Sequence, residues 1–244
     1  MAGNWKMYKT PAETTRFFET FRPLVATSEH AEIVICPSFT NLAAAVEAVK
    51  GTKISIGAQN IAWAKEGAFT GEVSGAMINA VGATHAIIGH SERRQYFGET
   101  DETVLGRTQA ALAAGIRPIV CVGERLEDRE AGRTEAVLEG QFRKGVAGLT
   151  EQQFARIVIA YEPVWAIGTG KTATPEIAAD AHRAIRALVR GQFGNEAAEA
   201  VRILYGGSVK PDNTRSLMAK PDIDGTLVGG ASLDAGSFAS IVNF

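Results

Sequence analysis

The residues with the clearest chemical potential lie in the segment 160–172, which reads AYEPVWAIGTGKT. A continuous apolar run at residues 157–160 leads into the ionisable Glu162, and Pro163 then ends the strand. A short apolar tip, Ala166-Ile167, and two glycines follow, a composition typical of a loop that closes over a site. A carboxylate at the end of a buried strand beside such a lid suits a general base that must be shielded from water.

Two other interpretations of this segment compete with the general base. A lone glutamate at a strand end is most often a solvated acid, but the lid-like continuation makes that interpretation weaker here. The letters GTGKT resemble the end of a phosphate-binding P-loop, which needs its first glycine at position 165. Trp165 occupies that position, so a P-loop is excluded.

The elements that must position Glu162 recur along the whole chain. Apolar runs that do not alternate with polar residues are typical of strands buried on both faces, as in a parallel sheet. Such runs lie at residues 32–36, 53–57, 85–89, 116–123, 156–160, 201–207 and 224–230, with a short start at 1–5. Helix-start signals stand between them at Thr10-Pro11, Thr174-Pro175 and Lys210-Pro211.

About eight strand–helix units without a linker or low-complexity segment predict an α/β fold with a single domain over residues 1–244. A closed (β/α)8 barrel is favoured over an open doubly wound sheet, because no strand is followed by the dinucleotide fingerprint GxGxxG. In this barrel the active site lies where the strands pass into the following loops.

Composition excludes several classes of function. A net charge of −2 gives no reason to expect nucleic acid or an anionic membrane as a partner, and no apolar run is long enough to span a bilayer. Neither the histidines nor the cysteines have metal-ligand spacing, so we expect no metal. Cys36 and Cys121 lie in apolar runs, which predicts buried free thiols and a cytoplasmic location.

The residues that follow the other strands converge on the same end of the predicted barrel as Glu162. His90 follows the fourth strand, and Asn4 and Lys6 follow the first. Glycine-rich turns follow the last two strands at residues 206–208 and 228–230, where barrels of this type commonly bind phosphate. Each feature alone is more often structural, since a strand-end histidine, a surface lysine and a glycine turn are all common. Together they predict a base, an imidazole, a cation and an anion site around one small molecule.

Five segments that carry these residues resemble the triosephosphate isomerase family. They are Asn4-Trp5-Lys6 and the stretches 88–94 (IGHSERR), 160–170 (AYEPVWAIGTG), 205–208 (YGGS) and 228–231 (VGGA). The resemblance covers essentially the full chain, in order. It implies a (β/α)8 TIM barrel that interconverts dihydroxyacetone phosphate and D-glyceraldehyde 3-phosphate through an enediolate, in glycolysis and gluconeogenesis and without a cofactor.

The resemblance also implies roles for individual residues. Glu162 is the base that moves a proton between two substrate carbons, and His90 polarises the carbonyl and shuttles protons between the oxygens. Lys6 stabilises the enediolate with Asn4 beside it, and Glu92 supports the site from behind His90. Substrate binding falls to Asn4, Lys6 and the main chain of Gly168, Ser208, Gly229 and Gly230.

A homodimer is implied through residues 59–72, from Gln59 to Glu72. In that dimer Thr70 approaches Asn4 and Lys6 of the second copy, and Glu72 pairs with Arg93 across the contact.

The sequence departs from the family at its first strand, because Met1 alone precedes Ala2 where relatives carry several apolar residues. We therefore expect a shortened first strand, with unpaired edges on both neighbouring strands and Asn4 and Lys6 at risk of misplacement.

Two other functions stay open at this point. Lys6 on the rim is compatible with a Schiff-base aldolase, although such a lysine normally lies in an apolar strand, whereas Lys6 lies in a polar stretch. The other alternative is a relative that only binds phosphorylated metabolites, against which the presence of Glu162, His90 and Lys6 argues.

Overall fold

The computed structural model describes residues 1–167 and 172–244. Within these residues, eight parallel strands pair in chain order and close into a barrel, with the last strand beside the first. The strands are β1 (Ala2–Asn4), β2 (Ile33–Cys36), β3 (Ile54–Ala58), β4 (His85–Ile88), β5 (Arg117–Val122), β6 (Val158–Tyr161), β7 (Arg202–Tyr205) and β8 (Gly225–Val228). The predicted (β/α)8 barrel is confirmed.

Helices connect consecutive strands. They are α1 (Pro11–Val25), α2 (Leu42–Ala48), α3 (Gly75–Ala80), α4 (Ser91–Tyr96), α5 (Asp101–Ala113), α6 (Leu126–Glu130), α7 (Thr134–Gly145), α8 (Glu151–Phe154), α9 (Pro175–Ala200), α10 (Pro211–Met218) and α11 (Ala235–Val242). The sequence signals act as predicted: Thr10 forms a capping box with Glu13 at the start of α1, and the Thr174 side chain accepts from Ile177 N–H at the start of α9. In the part of the chain that is described, no helix is both long and apolar enough to cross a bilayer.

The expectation of unpaired edges beside the first strand is wrong. β1 is short, yet Gly3 pairs with Ile35 of β2 on one side and with Val228 of β8 on the other. Strand pairing uses main-chain groups, so a few residues suffice when the next side chain is well anchored. Trp5 provides that anchor, since it is fully buried, packs edge-on against Phe17 at 4.8 Å and donates through Nε1 to Ser232 O at 3.0 Å.

The apolar core has two parts. The larger lies between the strands and the surrounding helices and includes a chain of stacked or edge-on rings at Trp5, Phe17, Phe21 and Phe238. Complete burial of each such side chain contributes about 1.5–3 kcal/mol. The smaller fills the barrel interior and contains Cys36 and Cys121, which are buried free thiols as predicted. This packed interior holds the strand ends at fixed positions around the rim.

Candidate active site

Glu162 follows β6 directly and turns its carboxylate into the protein. Its amide donates to Val122 O at 2.8 Å, so the ladder with β5 continues as far as this residue. The residue is only 2 % exposed. Its carboxylate accepts from Ser91 N–H at 3.0 Å and from Ser91 Oγ at 3.3 Å, which holds it at the start of α4. The candidate base is therefore buried and hydrogen-bonded rather than solvated.

The turn before α4 orients His90 towards Glu162. Gly89 has φ +69°, and a Cβ there would lie 2.6 Å from Cγ2 of Val104, so only glycine fits this turn. His90 then caps α4, with Nδ1 accepting from the Glu92 N–H at 3.2 Å. Because Nδ1 accepts, the neutral ring carries its proton on Nε2, which lies 2.8 Å from Glu162 Oε1 and donates to it.

Glu162 and His90 shift each other's pKa while they are in contact. Burial alone raises the pKa of the Glu162 carboxyl, but the His90 ring and the hydrogen bond from Ser91 hold it below its usual value. Burial alone lowers the pKa of His90, and the Glu162 carboxylate raises it above its usual value. If Glu162 turns towards a substrate, burial and the helix amide at Nδ1 remain, and both favour the neutral imidazole. The ring is then an uncharged donor.

Lys6 lies in the loop after β1 with a left-handed backbone, φ +51°. Asn4 helps to hold this conformation, since its Oδ1 accepts from Lys6 N–H at 3.0 Å. The Lys6 ammonium lies 2.5 Å from Glu92 Oε1. Glu92 thus contacts Lys6 through its carboxylate and His90 through its amide, and it does not line the cavity itself.

A cavity of about 660 Å³ brings the predicted residues together. Asn4, Lys6, His90 and Glu162 line one part of it, and the turns after β7 and β8 line another. From those turns it is lined by Ser208, Gly229 and Gly230. Gly230 also begins a 3-10 helix, Gly230–Leu233, whose free amides suit an anion. Gly168, and with it most of the predicted lid, lies outside the described residues.

Three residues near the site were not singled out for these roles from the sequence. Ser91 binds the Glu162 carboxylate, and its place directly after His90 was the available signal. The Cys121 thiol also hydrogen-bonds Glu162, which lowers the pKa of that carboxyl. The sequence predicts Gln59 in the dimer contact. Within the chain, its side-chain amide also donates to the carbonyls of Lys6 and Cys36, both at 2.8 Å. Such contacts depend on packing between distant segments, which spacing along the chain does not reveal.

Comparison with known proteins identifies the family that shares this arrangement. A family model described as triosephosphate isomerase matches residues 1–244. The chain belongs to the triosephosphate isomerase family. It is 79 % identical over 244 residues to the triosephosphate isomerase of Solibacter usitatus (strain Ellin6076), with all of this chain and 98 % of the relative covered. The triosephosphate isomerase of Citrifermentans bemidjiense is 57 % identical, with all of this chain and 97 % of the relative covered. That of Moorella thermoacetica is 57 % identical over 247 residues, at the same coverage.

Members of the triosephosphate isomerase family interconvert dihydroxyacetone phosphate and D-glyceraldehyde 3-phosphate, and this chain is an isomerase of that kind. The family is generally dimeric.

Proposed function

We propose that Glu162, His90 and Lys6 carry out the isomerisation in the 660 Å³ cavity. The observation that carries this proposal is the contact of 2.8 Å between Glu162 Oε1 and His90 Nε2 beside the Lys6 ammonium in one cavity. A base, an uncharged donor and a cation are the three groups that removal of a proton next to a carbonyl requires.

The reaction begins with the carboxylate of Glu162 leaving Ser91 and taking a proton from the substrate carbon next to the carbonyl. Negative charge then develops on the carbonyl oxygen, where His90 Nε2–H donates a hydrogen bond and the Lys6 ammonium supplies positive charge. Both groups are held before the reaction, His90 by the Glu92 amide and Lys6 by Asn4 and Glu92. Glu162 returns the proton to the neighbouring carbon, and His90 moves a proton between the two oxygens.

The phosphate end of the substrate is assigned to the main-chain amides of Ser208, Gly229 and Gly230, with Gly168 as the expected fourth contact. Glycine amides allow close approach of an anion, and the 3-10 helix at Gly230 adds partial positive charge. We place the reaction in the cytoplasm.

The ion pair of Lys6 argues against the Schiff-base alternative. A lysine that forms a Schiff base needs a neutral amine in a desolvated, cation-rich or apolar setting. The Lys6 ammonium instead lies 2.5 Å from the carboxylate of Glu92. Borohydride in the presence of substrate should therefore leave the enzyme active.

A coupled assay of isomerisation, followed by Glu162→Gln, tests the proposed base. We expect kcat to fall by about 10²–10⁴-fold, the usual contribution of a positioned general base, with little change in KM. The control is Asp224→Asn, which removes a carboxylate that binds Arg186 at 2.6 Å before β8, at the opposite end of the barrel. It should lower stability and leave kcat intact. Full activity in Glu162→Gln would contradict the assignment.

We also propose that the chain forms a homodimer through residues 59–72. Large apolar side chains stay exposed in the loop after β1 and in the loops and helices after β3 and β4, and exposed apolar side chains of this kind are typical of an interface. They are Met7, Tyr8, Trp63, Phe69, Met77, Tyr96 and Phe97.

Within the chain, Glu72 binds Arg107 at 3.2 Å and Arg93 binds Glu99 at 2.5 Å. The pairing of Glu72 with Arg93 of a second copy, and the approach of Thr70 to its Asn4 and Lys6, stay predictions.

A further inference from the structure

A second cavity, of about 350 Å³, also reaches Glu162. Among the described residues, Glu162 is the one that lines both this cavity and the substrate cavity. Ser91 and Cys121, two of the residues that hydrogen-bond its carboxylate, line the second cavity, whereas His90 lines the substrate cavity. The exposed side chains of Gln95 and Arg125 line its outer part. The carboxylate region of the proposed base is therefore connected to the surface by a route that does not pass through the substrate site.

Polar residues line this cavity, and two of them, Arg94 and Glu99, each carry a buried atom, Nη2 and Oε2, whose hydrogen bonds are not made within the described residues. Arg94 cannot turn away to satisfy its Nη2, because Nε donates to Gly89 O at 2.9 Å and Nη1 to Asp101 Oδ1 at 2.6 Å. The side chain of Glu99 is 3 % exposed and is held by Arg93.

An unsatisfied buried donor or acceptor costs about 1–3 kcal/mol, more when the group is charged. A polar cavity with such groups in its wall binds water, and this one has room for several molecules of about 30 Å³ each.

We propose that this cavity is a hydrated passage through which the proton on Glu162 exchanges with solvent while substrate occupies the other cavity. The proposal rests on the proposed role of Glu162 as the base. After Glu162 has taken a proton from the substrate, its carboxyl turns back towards Ser91, where its O–H passes that proton to water in the passage and receives another from it. Charge does not change, and one hydrogen replaces another. In D2O the carboxyl becomes O–D, and the deuteron is then delivered to the neighbouring carbon.

The passage decides what fraction of the product carries hydrogen from solvent rather than hydrogen carried over from the substrate. Exchange competes with return of the proton to carbon, so a wider passage raises the solvent-derived fraction and a blocked one lowers it. Turnover itself does not require the passage, because proton removal and return both occur on the substrate side of Glu162.

Val137 offers a way to block the passage without touching the reacting groups. It lies on α7, is half-buried and lines the second cavity but not the substrate cavity. The reaction is run in D2O with unlabelled substrate, and proton NMR of the product measures the deuterium at the carbon that receives the proton. We expect Val137→Phe to lose part of that label at unchanged kcat/KM, and Val137→Ala to keep or increase it.

The matched control is Val46→Phe, which adds the same bulk at a half-buried valine on α2, away from both cavities. Its labelled fraction should equal that of the parent protein. An unchanged labelled fraction in Val137→Phe, with the ring seen in the cavity by crystallography, would overturn the proposal. If Val137→Phe does not fold, Val137→Leu takes its place.

A crystal structure of the unaltered protein gives an independent measurement. Ordered waters within hydrogen-bond distance of Arg94 Nη2 and Glu99 Oε2 would support the passage, and a dry cavity would overturn it. Absence of any isomerisation in the unaltered protein would instead overturn the proposed function, so the two failures are distinguishable.

Discussion

Lys6 combines a proposed catalytic group with a strained backbone in a single residue. A left-handed conformation costs a residue with a Cβ about 1–2 kcal/mol, and glycine avoids this cost. At Lys6 the conformation is maintained by hydrogen bonds to Asn4 and Gln59. The strain therefore lies at a position where the proposed mechanism uses the charge of the side chain.

We expect Lys6→Gly to be more stable than Lys6→Ala by about 1 kcal/mol, because alanine keeps the Cβ that the left-handed backbone disfavours. Both variants should lose at least about 10²-fold in kcat/KM, since the cation at the developing enediolate is gone. Urea unfolding and the coupled assay measure the two effects.

Lys9 is the matched control for Lys6. It shares the left-handed backbone, at φ +69°, but its ammonium lies over the rings of Trp5 and Phe17 instead of lining the substrate cavity. Lys9→Gly and Lys9→Ala should show the same gap in stability and retain activity. Equal stability within both pairs would show that the left-handed backbone is not strained.

His182 links one buried residue to the acid stability of the whole chain. Its ring lies between Tyr161 and Tyr205, and burial lowers its pKa to about 3. Between the unfolded value near 6.5 and this folded value, the unfolded chain binds a proton that the folded chain does not. Stability contributed by the neutral ring is therefore lost as pH falls through this window, by about 1.4 kcal/mol per pH unit.

Asparagine at position 182 keeps a donor near Nδ1, which lies 3.1 Å from Asp222 O, but cannot take up a proton. On going from pH 7.5 to pH 4.5, we expect His182→Asn to lose about 2–3 kcal/mol less unfolding free energy than the parent protein. Urea titrations at the two pH values measure this difference. Equal losses in the two proteins would mean that His182 is protonated in the folded state.

The convergence of the candidate residues on one cavity was predictable from the sequence, but their contacts with one another were not. A strand-end position predicts the end of the barrel at which Glu162, His90 and Lys6 lie, and the cavity confirms that they meet. The pairing of Glu162 with Ser91, and of Lys6 with Glu92, depends on side-chain rotamers at the junction of distant segments. The order of residues along the chain does not show which side-chain rotamers these residues adopt.

At the scale of elements, the helix α9 contains a break that its apolar spacing does not predict. Gly194 has φ +86° inside the range Pro175–Ala200, and no atom lies within 4 Å of a Cβ built there. Gly191, three residues earlier, also faces open space and has no positive φ. The two glycines therefore differ in backbone conformation and not in available space.

Alanine should act in opposite directions at these two positions. Gly191→Ala should stabilise the protein by about 1 kcal/mol, because alanine favours a helix more than glycine does. Gly194→Ala should destabilise it by about 1–2 kcal/mol, because a Cβ opposes the left-handed backbone. Urea unfolding of both variants measures the two changes in unfolding free energy. Stabilisation by both substitutions would contradict the left-handed backbone at Gly194.

The strands were predictable because burial on both faces leaves a continuous apolar run. The run at 85–89 corresponds to β4 (His85–Ile88), and the run at 116–123 to β5 (Arg117–Val122). Caps such as Thr10 were predictable because they act through local hydrogen bonds. The closure of the barrel around the short first strand was not predictable, because closure depends on pairing between residues that lie far apart along the chain.

At the scale of the whole molecule, the exposed apolar side chains lead to a prediction about assembly. Phe69 is 41 % exposed and packs edge-on against Trp63 at 5.2 Å. Phe69→Asp should weaken the dimer by at least about 10-fold, since a charge would replace an aromatic anchor at the interface. Analytical ultracentrifugation measures the dissociation constant, and specific activity should fall on dilution.

Leu24 is the control for Phe69, because it is 45 % exposed but lies on α1, outside residues 59–72. Leu24→Asp should leave the dissociation constant unchanged. Equal association of Phe69→Asp and the parent protein would place the interface elsewhere. The treatment of residues 1–244 as a single domain stays a prediction, which limited proteolysis addresses.

The pairing of Gly3 with Val228 has a consequence for synthesis of the protein on the ribosome. The first strand leaves the exit tunnel first, but its second neighbour, β8, is translated after all the other strands. A nascent chain therefore cannot complete the ring, and the loop that carries Asn4 and Lys6 cannot meet the glycine turn after β8, until β8 has been translated. A chain truncated before that turn should therefore lack isomerase activity.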